Sequence, residues 1–203
     1  MKKIILLLAL SLFVVSCDKV KKERIEDTKE KTVEKTIPKK KIVYSENIQD
    51  TFFGIKFGAS KEEVINAFEK EGLDLDNQYS TNNKLTFKPA GKFFSFGGTN
   101  WGYVTVGLHN GKFYAIEFEC CIENEEIVLE RFEFVLSELS SRYNMNEVTI
   151  KDNNTHKAYN AVSKDKKIVV IICDKDKSAD GENRPYVSLA YMDSKLYKSS
   201  DEL

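Results

Sequence analysis

The residues best suited to chemistry in this 203-residue chain are four cysteines, two histidines and a late acidic stretch. Asp174, Asp176, Ser178 and Asp180 alternate in the manner of a calcium-binding loop. A calcium loop of that kind needs glycine at its sixth position and a bidentate glutamate at its twelfth. Here Gly181 falls at the eighth and Pro185 at the twelfth, and the stretch follows a strand pattern rather than a helix, so it reads as a solvated acidic loop. His109 and His156 have no Cys, Asp or Glu at a metal-ligand spacing, and His109 falls in a hairpin turn. No G-x-S-x-G segment and no phosphate-cradling glycine loop occurs. No metal, no cofactor and no catalytic group is therefore assigned from the residues.

The cysteines are Cys17, the adjacent pair Cys120 and Cys121, and Cys173. Four are too few for a disulfide scaffold. If export consumes Cys17, three remain, an odd number that cannot pair fully within one chain. Buried free thiols in strands are the favoured reading; one bridge from Cys173 to Cys120 or Cys121 is the alternative.

Cys17 stands apart because of what precedes it. Lys2 and Lys3 form a positive start, and "IILLLALSLFVV" follows as an apolar segment interrupted only by Ser11. That segment is well short of the ~20 residues that span a bilayer. A positive start, a short apolar core and a small residue before the break describe an export signal. The closing "VVSC", Val14 to Cys17, resembles the lipobox of bacterial lipoprotein precursors. In that family the cysteine thiol receives a diacylglyceryl group, cleavage falls just before it, and the new N-terminus is acylated. The resemblance implies a signal peptide at 1–16 and a mature chain starting at Cys17. It also implies a cell-envelope protein held in a bilayer by fatty acyl chains such as palmitate. Each buried methylene contributes about 0.8 kcal/mol, and more than one chain makes anchoring stable. Asp18 resembles the inner-membrane retention signal of enterobacteria, a rule that other lineages do not follow.

Residues 17–43 read as the lipidated cysteine and a charged tether. Residues 18–43 hold ten basic and six acidic side chains, one proline and scattered aliphatics without a heptad. Lys39, Lys40 and Lys41 could touch anionic headgroups. Residues 44–203 hold 19 basic and 26 acidic side chains. With no Lys/Arg run, that acidic body excludes a general nucleic-acid binder, which needs a positive footprint.

The body reads as one α+β domain: an antiparallel sheet with two main helices packed on one face. "TFFGIKFG" reads as a short strand ending at a glycine. "ASKEEVINAFEKEGL" reads as a helix with Ser60 as N-cap, Glu63 completing a capping box and Gly72 closing it. Val64, Ala67 and Phe68 mark its buried side. "KLTFKP" and "KFFSFGG" are strands around a Pro89-Ala90-Gly91 turn. "WGYVTVGLHNGKFYAIEFE" is a hairpin, and its apolar alignment favours a three-residue loop with Gly111 in the left-handed region over a two-residue Asn110-Gly111 loop. Val128, Phe132, Val135, Leu139 and Tyr143 follow helical steps in the second helix. "HKAYNAV", "KIVVIIC" and "YVSLAYM" close the chain as strands, the second central, the third half-buried through Val187, Leu189 and Tyr191. A helix followed by three or four strands in each half suggests two degenerate repeats.

"FFGIKFGASKEEVINAF" resembles the opening of small envelope modules, such as the accessory lipoprotein of the outer-membrane barrel-assembly machine and related inhibitor-like domains. The chain departs from that pattern after Gly72, where the second short helix and the G-x-P turn are missing, so no binding residue is carried over. Phe93, Phe94, Phe96, Trp101 and Tyr103 form an aromatic-rich stretch around "FGGTNWG"; core positions in strands are the favoured reading and a partner-binding patch the alternative, with Gly97, Gly98 and Gly102 leaving room for a loop to rearrange or a partner to approach the backbone. The function expected is a membrane-anchored envelope lipoprotein that binds an envelope partner without catalysis. A hydrolase of the same compartment and a structural spacer are the alternatives.

Overall fold

The computed structural model describes residues 43–91, 93–121, 124–148, 156–174 and 185–198, with backbone alone at Cys121, His156 and Lys198. The stretches expected as signal peptide and tether, Cys17 between them, and most of the acidic stretch at 174–185 lie outside these residues. All described residues fall in one compact unit, Lys41–Leu203.

The first helix, α1 (Lys61–Lys70), forms where its end signals are strongest. The Ser60 hydroxyl accepts from the Glu63 amide, and the Glu63 carboxylate accepts from the Ser60 amide, completing the capping box. Gly72, at φ +77°, takes the left-handed position just past the C-cap. The longer α2 (Glu125–Ser140) is capped by the Asn124 side chain. Val64 and Phe68 of α1 are buried in the same core as Val128, Phe132, Val135 and Leu139 of α2. That places both helices on one face of the sheet. A third, short helix, α3 (Ser194–Lys198), follows the last strand. No described helix is long and apolar enough to cross a membrane.

The main sheet has eight strands, every neighbouring pair antiparallel. After α1 come β3 (Leu73–Leu75), β4 (Lys84–Pro89), β7 (Tyr103–His109) and β8 (Lys112–Cys121). After α2 come β9 (Asn146–Glu147), β10 (His156–Val162), β11 (Lys167–Asp174) and β12 (Tyr186–Asp193). The order across the sheet is β3-β4-β7-β8-β12-β11-β10-β9. Each series therefore runs from an edge inward, and the two meet at the β8–β12 seam. Two small hairpins stand outside the sheet: β1 (Thr51–Phe52) with β2 (Ile55–Lys56), and β5 (Phe94–Phe96) with β6 (Thr99–Trp101).

Three local expectations are corrected. "TFFGIKFG" is two strands rather than one, reversed at Phe53 and Gly54, with φ +51° and +79°. The Phe53 ring meets that of Phe68 at 4.8 Å, and this contact compensates a left-handed phenylalanine. The β7–β8 loop has two residues, not three: Asn110 (φ +50°) and Gly111 (φ +72°) close the His109–Lys112 pair, as in a primed hairpin turn. The apolar alignment is recovered by a bulge instead. Gly107 pairs with Ala115 and Leu108 with Phe113, which leaves Tyr114 as the extra residue and puts Val106 opposite Ile116 and Val104 opposite Phe118. Tyr114 folds over Gly107, where a Cβ would stand 2.9 Å from the ring, so a larger residue would have to displace it. The last strand, β12, is buried on both faces: Val187, Leu189 and Tyr191 on the helix side, Tyr186, Ser188 and Met192 on the other. Its place between β8 and β11 at the sheet centre accounts for that.

Candidate functional site

The β5–β6 hairpin is the piece of the molecule least explained by the main sheet. Gly97 and Gly98 turn it, with φ +61° and +76°, a reversal that L side chains resist. Ser95 donates to Asn100 Oδ1 across the pair at 2.6 Å, and Trp101 Nε1 donates to the Phe96 carbonyl at 3.0 Å. Phe96 stacks on Phe118 of β8 with ring centroids 4.1 Å apart and planes 10° apart. The Gly102 amide donates to the Glu119 carbonyl at 2.9 Å. The hairpin is thus pinned to β8 through aromatic packing and one backbone bond, and its turn reaches Phe134 of α2.

The five aromatics singled out in the sequence do not share one surface. Trp101 is fully buried, and Phe94 and Phe96 pack against the core. Tyr103 points to the opposite face of the sheet, since Val104, Val106 and Leu108 take the helix face. There Lys88, ion-paired with Asp76, lies 5.9 Å from the Tyr103 ring centroid and 5.2 Å from that of Tyr79. Phe93 is exposed.

The hairpin instead walls two clefts, one on each side of its turn. The outer cleft, of about 340 Å³, lies between Gly98–Asn100 and the α2 residues Ile127, Glu130, Arg131 and Phe134. Ile127 and Phe134 are 45% and 48% exposed, a large apolar pair on an otherwise charged helix surface. Between them Arg131 Nη1 donates to the Asn100 carbonyl at 2.6 Å and approaches Cys120 Sγ at 2.7 Å. Burial pushes the Cys120 thiol up, and the Arg131 charge opposes this only in part, so the sulfur stays a thiol at neutral pH. The inner cavity, of about 240 Å³ and open on one side, is lined by Phe96, Val135, Leu139, Leu189 and Tyr191, with Gln49, Glu138 and Arg142 also bordering it.

Cys120 and Cys173 are both buried. Each lies opposite Val187 in register, on either side of β12. Two strand spacings separate their Cα atoms by roughly 9–10 Å, beyond the ~7 Å limit for a disulfide. Among the described residues no three His, Cys, Asp or Glu side chains are grouped to hold a metal ion.

Sequence reasoning missed Arg131, Phe134, Arg142 and Tyr191. Two signals were available. Arg131 is the lone basic residue within α2, and Phe134 lies off the stripe that carries Val128, Phe132, Val135 and Leu139. Arg142 and Tyr191 meet only through tertiary packing. Compared with protein-family models, curated proteins and solved structures, the chain matches none.

Proposed function

We propose that this is a lipid-anchored envelope protein whose domain binds an envelope protein partner at the α2–hairpin face. The Lys2–Cys17 stretch, with its positive start, short apolar core and "VVSC" end, carries the reading of anchoring. The exposed Ile127–Phe134 pair supports the reading of binding, because it rests on a rigid helix buttressed by the hairpin. Glu130 lines the same cleft, and the first turn of the helix adds Glu125 and Glu126, so the matching partner presents basic side chains beside an apolar anchor.

Mass spectrometry of the mature N-terminus is expected to show acylated Cys17, and Cys17→Ala is expected to move the protein out of the membrane fraction. An unmodified Cys17 or a retained Met1 sinks the anchoring. For binding, the anchored protein is used as bait in detergent-solubilised envelope. A specific partner is expected to be captured by the native chain and lost with Phe134→Glu, an exposed site where the change leaves the melting temperature nearly unaltered. Equal capture by both proteins overturns the assigned face.

A further inference from the structure

Tyr191 sits on the floor of the inner cavity and is only 4% exposed, its ring 5.1 Å from that of Phe52. Among the described residues no group shares a hydrogen bond with its hydroxyl. Nor is that oxygen sealed in: among the described residues the enclosed side-chain polar atom lacking a hydrogen bond is Asp76 Oδ2, the ion-pair partner of Lys88. The hydroxyl therefore opens onto the cavity that Tyr191 lines. Facing that space, the hydroxyl can donate to or accept from whatever fills it.

The rest of the cavity supplies a matching environment. Phe96, Leu139 and Leu189 offer apolar walls. The space of about 240 Å³ is ample for a ring-sized group, since a cavity of about 150 Å³ already admits benzene. At the rim Arg142 meets Glu138 at 3.9 Å, too far for a hydrogen bond, so the guanidinium keeps donors available. The Glu138 carboxylate beside Arg142 leaves the rim with no net charge, which opposes a doubly charged phosphate more strongly than a singly charged head. A planar guanidinium and a phenol hydroxyl together fit a carboxylate, which accepts from both.

We propose that this cavity binds a small amphipathic carboxylate, its apolar body against Phe96, Leu139 and Leu189 and its head between the Tyr191 hydroxyl and Arg142. The site extends the reading of a binding domain by giving it a small-molecule ligand. It depends neither on Cys17 nor on the Ile127–Phe134 face, so either can fail alone.

The test is methyl NMR of the full-length chain carrying Cys17→Ala, titrated with phenylbutyrate and with its neutral counterpart phenylbutanol. Phenylbutyrate is expected to shift the methyls of Val135, Leu139 and Leu189, with the alcohol at least about tenfold weaker. Tyr191→Phe and Arg142→Gln are each expected to weaken the acid about tenfold, the loss of one hydrogen bond to a charged group. Trp101 emission serves as the check on folding. If Tyr191→Phe disturbs the fold, Arg142→Gln at the rim decides alone. Absence of shifts at millimolar acid overturns the proposal, as does equal binding of acid and alcohol, or unchanged affinity in the folded variants.

Discussion

Phe118→Ala is expected to lower stability by about 3–5 kcal/mol, the range for deleting a buried phenylalanine. The effect should reach the upper part of that range because Phe118 joins three separate pieces. Its ring stacks on Phe96 at 4.1 Å, lies 5.9 Å from Trp101, and stands 6.3 Å from Phe52 of the first hairpin. Neither small hairpin belongs to the main sheet, so both depend on such side-chain contacts for their positions. A loss of this size is a large share of the ~5–15 kcal/mol that holds a domain together. Urea unfolding followed by Trp101 emission measures it, since Trp101 is fully buried and is the protein's one tryptophan. Phe93→Ala, at an exposed position of similar composition, is expected to stay within about 0.5 kcal/mol. Equal losses for the two would refute the role given to Phe118.

Lys167→Met is expected to cost about 1–3 kcal/mol at neutral pH, as expected when one partner of a charged hydrogen-bonded group is removed. Lys167 Nζ lies 2.7 Å from Asp50 Oδ2 and 2.8 Å from Asp165 Oδ2, with Lys167 and Asp50 side chains only 18% exposed. Lys56 adds a contact to Asp50 at 3.3 Å, and Ser163 bonds Asp165. Burial alone would raise the Asp50 carboxyl, but hydrogen bonds from Lys167, Thr51 and Lys56 outweigh it and hold it below its ordinary value. Asp165 is lowered chiefly by its bond to Lys167, and Lys167 is raised by Asp165 and Asp50.

The pH dependence follows from those directions. A carboxyl whose folded pKa is depressed contributes fully above its unfolded value, near pH 4, and loses that contribution as pH falls through the folded value. A raised lysine contributes fully below its unfolded value, near pH 10, and loses it as pH rises through the folded one. The stability gap between native protein and Lys167→Met should thus be widest near neutrality and close at both extremes. Melting temperatures across pH test this. A gap independent of pH would assign the loss to packing of the lysine stem instead.

How much of the molecule could be read in advance depended on how local each cause was. The ends of α1 were legible because Ser60, Glu63 and Gly72 act within one turn of the chain. The strands β10, β11 and β12 were legible because runs of β-branched and aromatic residues need no distant partner to declare themselves. The bulge at Tyr114 was not. Its cause is the competition between a two-residue turn and the alignment of Val104 and Val106 with Phe118 and Ile116, which is settled only when both strands pack on the core. For the aromatic stretch the core reading holds for Trp101, Phe94 and Phe96, but the sequence could not say which members leave the core. Strand alternation and the Gly97–Gly98 reversal send Trp101, Tyr103 and Phe93 to different environments.

The sequence by itself determined the α+β class, the two helices with the capping of the first, and the succession of the long strands along the chain, since periodicity and capping are short-range. It also carries the whole argument for Cys17, because a processing signal is read along the chain rather than from a fold. Only the tertiary structure decided that Gln49, Arg142 and Tyr191 border one cavity, and that a hairpin outside the sheet forms its wall. The physical reason is that these groups converge through the burial of Phe96 on Phe118 and of α2 on β12, contacts between residues far apart in the chain.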